Sequence, residues 1–149
     1  MQENFCKIIL DFVKENNLNP GDLGLEITET AELEDISRAA EYFENLKSHG
    51  IPLALDDFGA GYSSLSYLRD LPIKMVKLDK DFSRTVSEND TQELVKFVVS
   101  ICENMELDML AEGIETQEQQ ETFLKLGCDK GQGYFHHRPQ FLEEFKEEF

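Results

Sequence analysis

Two adjacent carboxylates, Asp56 and Asp57, close the apolar run Ile51-Pro52-Leu53-Ala54-Leu55, and a glycine-containing loop follows at once. An apolar strand that stops at paired acids delivers hard oxygen ligands to one end of a sheet. That chemistry suits Mg²⁺ or Mn²⁺, which prefer carboxylate and water oxygens. Taken alone, the pair also reads as a loop in which one aspartate caps the next helix. The pattern recurs, however. Leu23 to Glu29 is a short apolar segment carrying Glu26 and Glu29, and Asp108 to Glu115 closes on Glu112 and Glu115. Lys74 to Asp79 alternates apolar and polar residues and carries Lys77, and Asp129 to Phe135 is a weaker segment carrying Gln132. A lone lysine after a strand is ordinarily solvated. Acids on either side of Lys77 make it a candidate to offset their charge and orient a nucleophile.

These residues need elements to position them. Lys74 to Asp79 has the period of a half-buried strand, and the other four segments read as short apolar strands, Asp129 to Phe135 the weakest. Between them, Leu33 to His49 has apolar residues at helical spacing and ends at Gly50, a candidate C-cap. Asp90 to Glu106 opens on an Asn-Asp-Thr cap region, and Thr116 to Leu126 opens on a Thr-x-x-Gln box and ends at Gly127. Phe5 to Val13 is amphipathic, and Glu143 to Glu148 reads as a solvated terminal helix. Strand alternating with helix predicts an α/β fold with a parallel sheet covered by helices. In a (β/α) barrel the C-terminal strand ends share one mouth, where functional groups cluster. Glu26, Asp56, Asp57, Lys77, Glu112, Glu115 and Gln132 all fall at or near such ends.

The motifs resemble those of the EAL-type cyclic di-GMP phosphodiesterases. Leu25-Glu26-Ile27-Thr28-Glu29 is similar to the family's E-[LI]-T-E motif, and Asp56 to Leu65 resembles D-D-F-G-T-G-Y-S-S-L with Ala60 in place of threonine. Val76 to Asp79 resembles K-I-D, and Ala111 to Thr116 resembles A-E-G-V-E-T. Gly127-Cys128-Asp129, Gln132-Gly133-Tyr134 and Arg138-Pro139 resemble its closing segment. The resemblance implies Glu26, Asp56 and Asp57 as metal ligands and Lys77 beside the attacking water and scissile phosphate. It implies Glu112 in the metal and water network, completed by Glu115 and Gln132, and Glu29 as support for the loop from Asp57 to Ser64. The implied reaction is metal-dependent hydrolysis of cyclic di-GMP to linear pGpG. Two metals would activate water and stabilise phosphoryl charge.

The resemblance covers the C-terminal part of the domain. The Glu-Ala-Leu motif that names the family, its neighbouring arginine, and the N-x-S strand with its asparagine ligand have no counterpart in the chain. Five strands are counted where a closed barrel has eight. The expectation is a partial TIM-type barrel lacking its N-terminal strands, with residues 1–149 forming one structural unit that starts inside a barrel. Such a unit, isolated, is expected to be inactive. The alternative is a degenerate half-domain that regulates, dimerises or binds nucleotide without turnover. Unpaired sheet edges predict a homodimer or association with the missing strands. The segment from Ser63 to Leu68 resembles the family's dimer-forming region.

The net charge of −17 argues against binding a nucleic acid polymer or an anionic membrane surface. Cys6, Cys102 and Cys128 lack metal-type spacing and read as reduced core thiols, and with no signal peptide or membrane span the expected setting is cytoplasmic. His136 and His137, on opposite sides of an extended segment, are expected at a pocket rim or the surface. Tyr134 and Phe135 are expected to pack at the core and the mouth.

Overall fold

A computed structural model describes residues 4–33, 35–60, 65–141, 143 and 145. Strands β1 (Leu25–Thr28), β2 (Leu53–Phe58), β3 (Met75–Leu78), β4 (Asp108–Ala111) and β5 (Lys130–Gly131) form one parallel sheet in the order β1-β2-β3-β4-β5. Helix α1 (Phe5–Glu15) precedes β1, α2 (Ile36–Ser48) joins β1 to β2, and α3 (Leu65–Asp70) joins β2 to β3. Helices α4 (Lys80–Thr85) and α5 (Asn89–Met105) join β3 to β4, and α6 (Gln117–Leu126) joins β4 to β5. Consecutive parallel strands joined by helices, with an open sheet, make the expected partial (β/α) barrel. Gly61 to Ser64 and most of the expected terminal helix lie outside the described residues.

Local chemistry explains the helix ends. The Asp35 side chain accepts from the Arg38 amide at 3.0 Å to start α2, and Gly50, at φ +87°, follows its end. Thr116 and Gln119 form the expected capping box on α6, and Gly127 turns left-handed at φ +99°. The expected Asn-Asp-Thr cap is not used. Helix α5 starts at Asn89, behind Glu88, which makes no side-chain cap bond. Helix α4 was not foreseen, because six residues are too few to show a helical period. The Asp79 side chain starts it by accepting from the Asp81 amide at 2.8 Å.

The strands are shorter than their apolar runs, except β2, which continues through both aspartates to Phe58. Strand β4 ends at Ala111, so Glu112 lies just past it and Glu115 lies in the loop. Strand β5 is two residues long, and the chain from Gly133 to His136 is turn. The alternation argument for His136 and His137 therefore does not apply, although both are exposed. Tyr134 and Phe135 are also exposed rather than packed in the core.

Alternation divides the sheet into two faces. Ile27, Leu53, Leu55, Val76, Leu78, Met109 and Ala111 are buried beneath the helices. They pack with Phe43 of α2, Val95, Val98 and Cys102 of α5, and Phe123 of α6. Each large apolar side chain buried there contributes roughly 1.5–3 kcal/mol of transfer free energy. Helix α1 adds a smaller cluster in which Val13 meets Leu46 and Ile51, with Phe5 edge-on to Phe43 at 6.3 Å between ring centres. The opposite face carries Glu26, Ala54, Asp56, Met75, Lys77 and Leu110. Its apolar members are only half-buried. In a closed barrel this face would be the packed interior.

Candidate metal centre

Lys77 sits on β3, the central strand of the sheet. Its side chain is 8% exposed, and Nζ lies 2.8 Å from Glu26 Oε1, 2.9 Å from Asp56 Oδ1 and 2.8 Å from Glu112 Oε1. The three carboxylates come from β1, from β2 and from the residue after β4. The parallel register makes this convergence possible, pairing Thr28 with Asp56 and Leu78 with Ala111. Burial by itself pulls the Lys77 pKa down. The hydrogen bonds and charges of Glu112, Glu26 and Asp56 outweigh burial, so the net shift is upward. Lys77 is an ammonium throughout the physiological range.

Neighbouring residues on a regular strand face opposite ways, so Asp56 and Asp57 need a break to act together. The break is a bulge. Leu55 pairs with Val76 and Phe58 pairs with Leu78, so β2 spends one residue more than β3 between these pairs. Asp57 absorbs the extra residue at φ +55°, a left-handed conformation that aspartate tolerates better than most residues. As a result Asp56, Asp57 and Glu112 each offer a carboxylate oxygen within 4.8 Å of the others. Beyond the bulge, Gly59 at φ +94° lies over Phe82, leaving no room for a side chain. The Gly59 amide donates to Glu29 Oε2 at 2.8 Å, and the Glu29 amide donates to the Asp56 carbonyl at 2.9 Å. Buried Glu29 thus grips the chain on both sides of Asp57.

The donor set suits a hard divalent cation. Asp56 Oδ1 is buried against Lys77 Nζ at 2.9 Å. Three carboxylates converging within 4.8 Å, with only one ammonium beside them, fit a cation. Asp56, Asp57 and Glu112 are the residues placed to hold one. Glu26 was expected among the ligands; it is half-exposed and enters the site through Lys77.

Glu115 and Gln132 line an adjoining cleft of about 420 Å³ together with Glu112, Lys80, Arg84 and Tyr134. The backbone closes this cleft by direct approach. Gln132 donates to the Ala111 carbonyl at 2.8 Å and its own carbonyl accepts from the Ile114 amide at 3.1 Å. A methyl on Gly133 would run into the Ile114 backbone. Lys80 and Arg84 were not foreseen in sequence. Their one available signal was the four-residue spacing on α4, in a helix too short to recognise. The Arg138 guanidinium lies over the Tyr134 ring at 5.2 Å, on the rim of the same cleft.

Comparison with known proteins agrees with this fold. A sequence model of the EAL domain family matches residues 1–139. The cyclic di-GMP phosphodiesterase PdeA of Borreliella burgdorferi is 34% identical over 139 residues, covering 93% of this chain and 21% of PdeA. The chain thus spans about a fifth of the length of that relative. The crystal structure of the EAL domain of Mycobacterium smegmatis DcpA superposes with a TM-score of 0.93 at 32% identity, covering 99% of this chain and 66% of that one. Klebsiella pneumoniae BlrP1, solved as a manganese and cyclic di-GMP complex, superposes with a TM-score of 0.82 at 30% identity, covering 90% of this chain and 34% of that one. Among the described residues, no helix is long and apolar enough to cross a membrane.

Proposed function

Because this chain belongs to the EAL domain family, we propose that it forms the metal-binding side of a cyclic di-GMP phosphodiesterase, which hydrolyses the cyclic dinucleotide to linear pGpG. The observation that carries this reading is Lys77, held at hydrogen-bond distance by Glu26, Asp56 and Glu112 with Asp57 turned in beside them. Mg²⁺ or Mn²⁺ bound by Asp56, Asp57 and Glu112, with Glu26 alongside, would supply an activated water and charge stabilisation for the phosphoryl oxygens. The hydrolysis breaks one phosphorus–oxygen bond to a sugar and consumes one water, whose hydroxyl ends on phosphorus and whose other proton ends on the leaving sugar oxygen. Lys77 is charged and cannot take a proton from that water, so it orients the water and offsets the phosphate charge. Proton acceptance falls to a carboxylate, and Glu112, shared by the acid cluster and the cleft, is placed for it. Glu115 and Gln132 orient water or substrate in the cleft. Glu29 keeps Asp57 in its turned conformation.

The test is incubation of the chain with cyclic di-GMP and Mn²⁺, followed by chromatography. The isolated chain is expected to leave the substrate intact, because it supplies one wall of a barrel and part of a ligand set. Supplying the remaining barrel strands is expected to produce pGpG, and Asp56→Ala is expected to abolish it. Turnover by the isolated chain would overturn the expected inactivity. A completed barrel that binds the dinucleotide without turnover would instead favour a regulatory module.

We also propose that the chain works in the cytoplasm and self-associates. Three free thiols support the first reading. The open sheet supports the second. Among the described residues β1 pairs only with β2 and β5 only with β4. Exposed Ile8 and Phe12 stand one turn apart on α1, the helix packed near β1. Unpaired edges and exposed apolar surface are association templates. Sedimentation at micromolar concentration is expected to show a dimer or larger species. A single sharp boundary at 17.2 kDa would refute self-association.

A further inference from the structure

Glu112 and Glu115 lie beyond the end of β4, where the regular strand pairing gives out. The last rung is the Glu112 amide on the Leu78 carbonyl at 3.2 Å. From there a separate network takes over, centred on Ser83 of α4, which is 1% exposed. The Ser83 hydroxyl donates to the Glu112 carbonyl. The Ser83 carbonyl accepts from Gln119 Nε2 at 2.8 Å. Gln119 Oε1 in turn accepts from the Glu115 amide at 2.8 Å and the Thr116 amide at 3.0 Å. One buried serine therefore holds Glu112 directly and Glu115 through a glutamine. Helix α4 starts three residues after Lys77, capped by Asp79. Three ties thus run from the β3–α4 arm to Glu112: the Leu78 carbonyl on its amide at 3.2 Å, the Lys77 ammonium on its side chain at 2.8 Å, and the Ser83 hydroxyl on its carbonyl.

We infer that Ser83 and Gln119 are positioning residues for the carboxylate site. They set where Glu112 presents its carboxylate to Asp56 and Asp57, and they hold Glu115 at the cleft. Gln119 has two jobs. Its oxygen closes the capping box that starts α6, and its amide nitrogen reaches across to α4. The capping motif accounts for the first job only. Without the Ser83 hydroxyl, the Glu112 carbonyl loses its donor, and the peptide after Glu112 is held only by the Leu78 and Gln132 bonds on either side of it, which loosens the placement of the carboxylate. Partners that hold a ligand in place typically tune metal affinity by about 10- to 100-fold. The inference rests on the reading of Asp56, Asp57 and Glu112 as a cation site, so the test separates the two.

The test uses the whole chain. Mn²⁺ is titrated while electron paramagnetic resonance reads the free ion. Hydrogen exchange of segment 112–116 and the thermal midpoint are measured without metal. Ser83→Ala is expected to weaken Mn²⁺ binding about tenfold and to speed exchange in the segment. Gln119→Glu keeps the oxygen acceptor and loses the donor to Ser83, so it is expected to do both to a smaller degree. Ser83→Thr, which restores a hydroxyl, is expected to recover affinity. Should Ser83→Ala fail to fold, Gln119→Glu decides. Wild-type affinity and wild-type exchange in the variants would overturn the inference, as would affinity that falls only in step with the thermal midpoint. If wild type binds no Mn²⁺ while exchange still speeds in both variants, the positioning network stands and the cation-site reading falls.

Discussion

Asp56→Ala is expected to weaken Mn²⁺ binding by about 100-fold or more while leaving the fold intact. Loss of a group that merely supports a metal ligand costs 10- to 100-fold, and removing a ligand itself should cost at least the upper end of that range. Asp56 is the residue with most to lose. It belongs to the group of carboxylates that can meet at one ion, and its Oδ1 is buried against the Lys77 ammonium at 2.9 Å. The fold should tolerate the change, because Lys77 keeps Glu26 and Glu112 at 2.8 Å each. Loss of a short polar side chain at a half-open strand end also leaves no deep apolar cavity. Isothermal titration with Mn²⁺, alongside circular dichroism, measures both quantities. Equal affinity in wild type and variant would remove Asp56 from the site and with it the proposed chemistry.

Lys77→Met is expected to lower stability by about 3 kcal/mol at neutral pH, since removing one partner of a buried ion pair strands the other charges. Here three carboxylates would be left facing one another, although Glu26 is half-exposed and water will moderate its share. The pH dependence has a definite sign. Folding raises the Lys77 pKa, so its charge favours the folded chain at every pH below the ordinary lysine value of about 10.4. That contribution falls away as pH climbs through the higher folded value. Urea unfolding should therefore show a gap between wild type and variant that is level from neutral pH to about 9 and narrows above about 10.4. The same substitution removes a positive charge from the edge of the cation site. Mn²⁺ is accordingly expected to bind the variant more tightly and to recover part of the lost stability. Equal stability of the two proteins at neutral pH would show that Lys77 does not neutralise the cluster.

Much of this architecture could be read from local pattern. Period-two alternation places Glu26, Asp56 and Lys77 on one face of their strands, and the apolar runs that carry them announce the strand ends. The Thr116–Gln119 box and the glycines at 50 and 127 mark helix boundaries because capping is chemistry within one turn of chain. Ordered motifs identified the family, and among the described residues the sheet has the expected five strands. Local pattern did not reveal α4, which is shorter than two helical turns, or the end of β4 at Ala111, short of the full segment from Asp108 to Glu115.

The centre itself depended on pairing between distant segments. Sequence alone determined which residues carry the charge and which side of each strand they occupy, since side-chain direction depends on the nearest backbone torsions. Only the tertiary structure decided which charges meet. The Leu55–Phe58 bulge turns Asp57 in beside Asp56, and it arises from the register of β2 against β3, which neither strand encodes alone. Glu26 joins through Lys77, while Glu112 reaches both Lys77 and the two aspartates. Ser83 and Gln119, 36 residues apart, become a single support for Glu112 and Glu115 only after folding brings the first turn of α6 within hydrogen-bond reach of α4. Strand register and helix packing are set by burial and hydrogen bonding over the whole sheet, so they emerge only when the chain has folded.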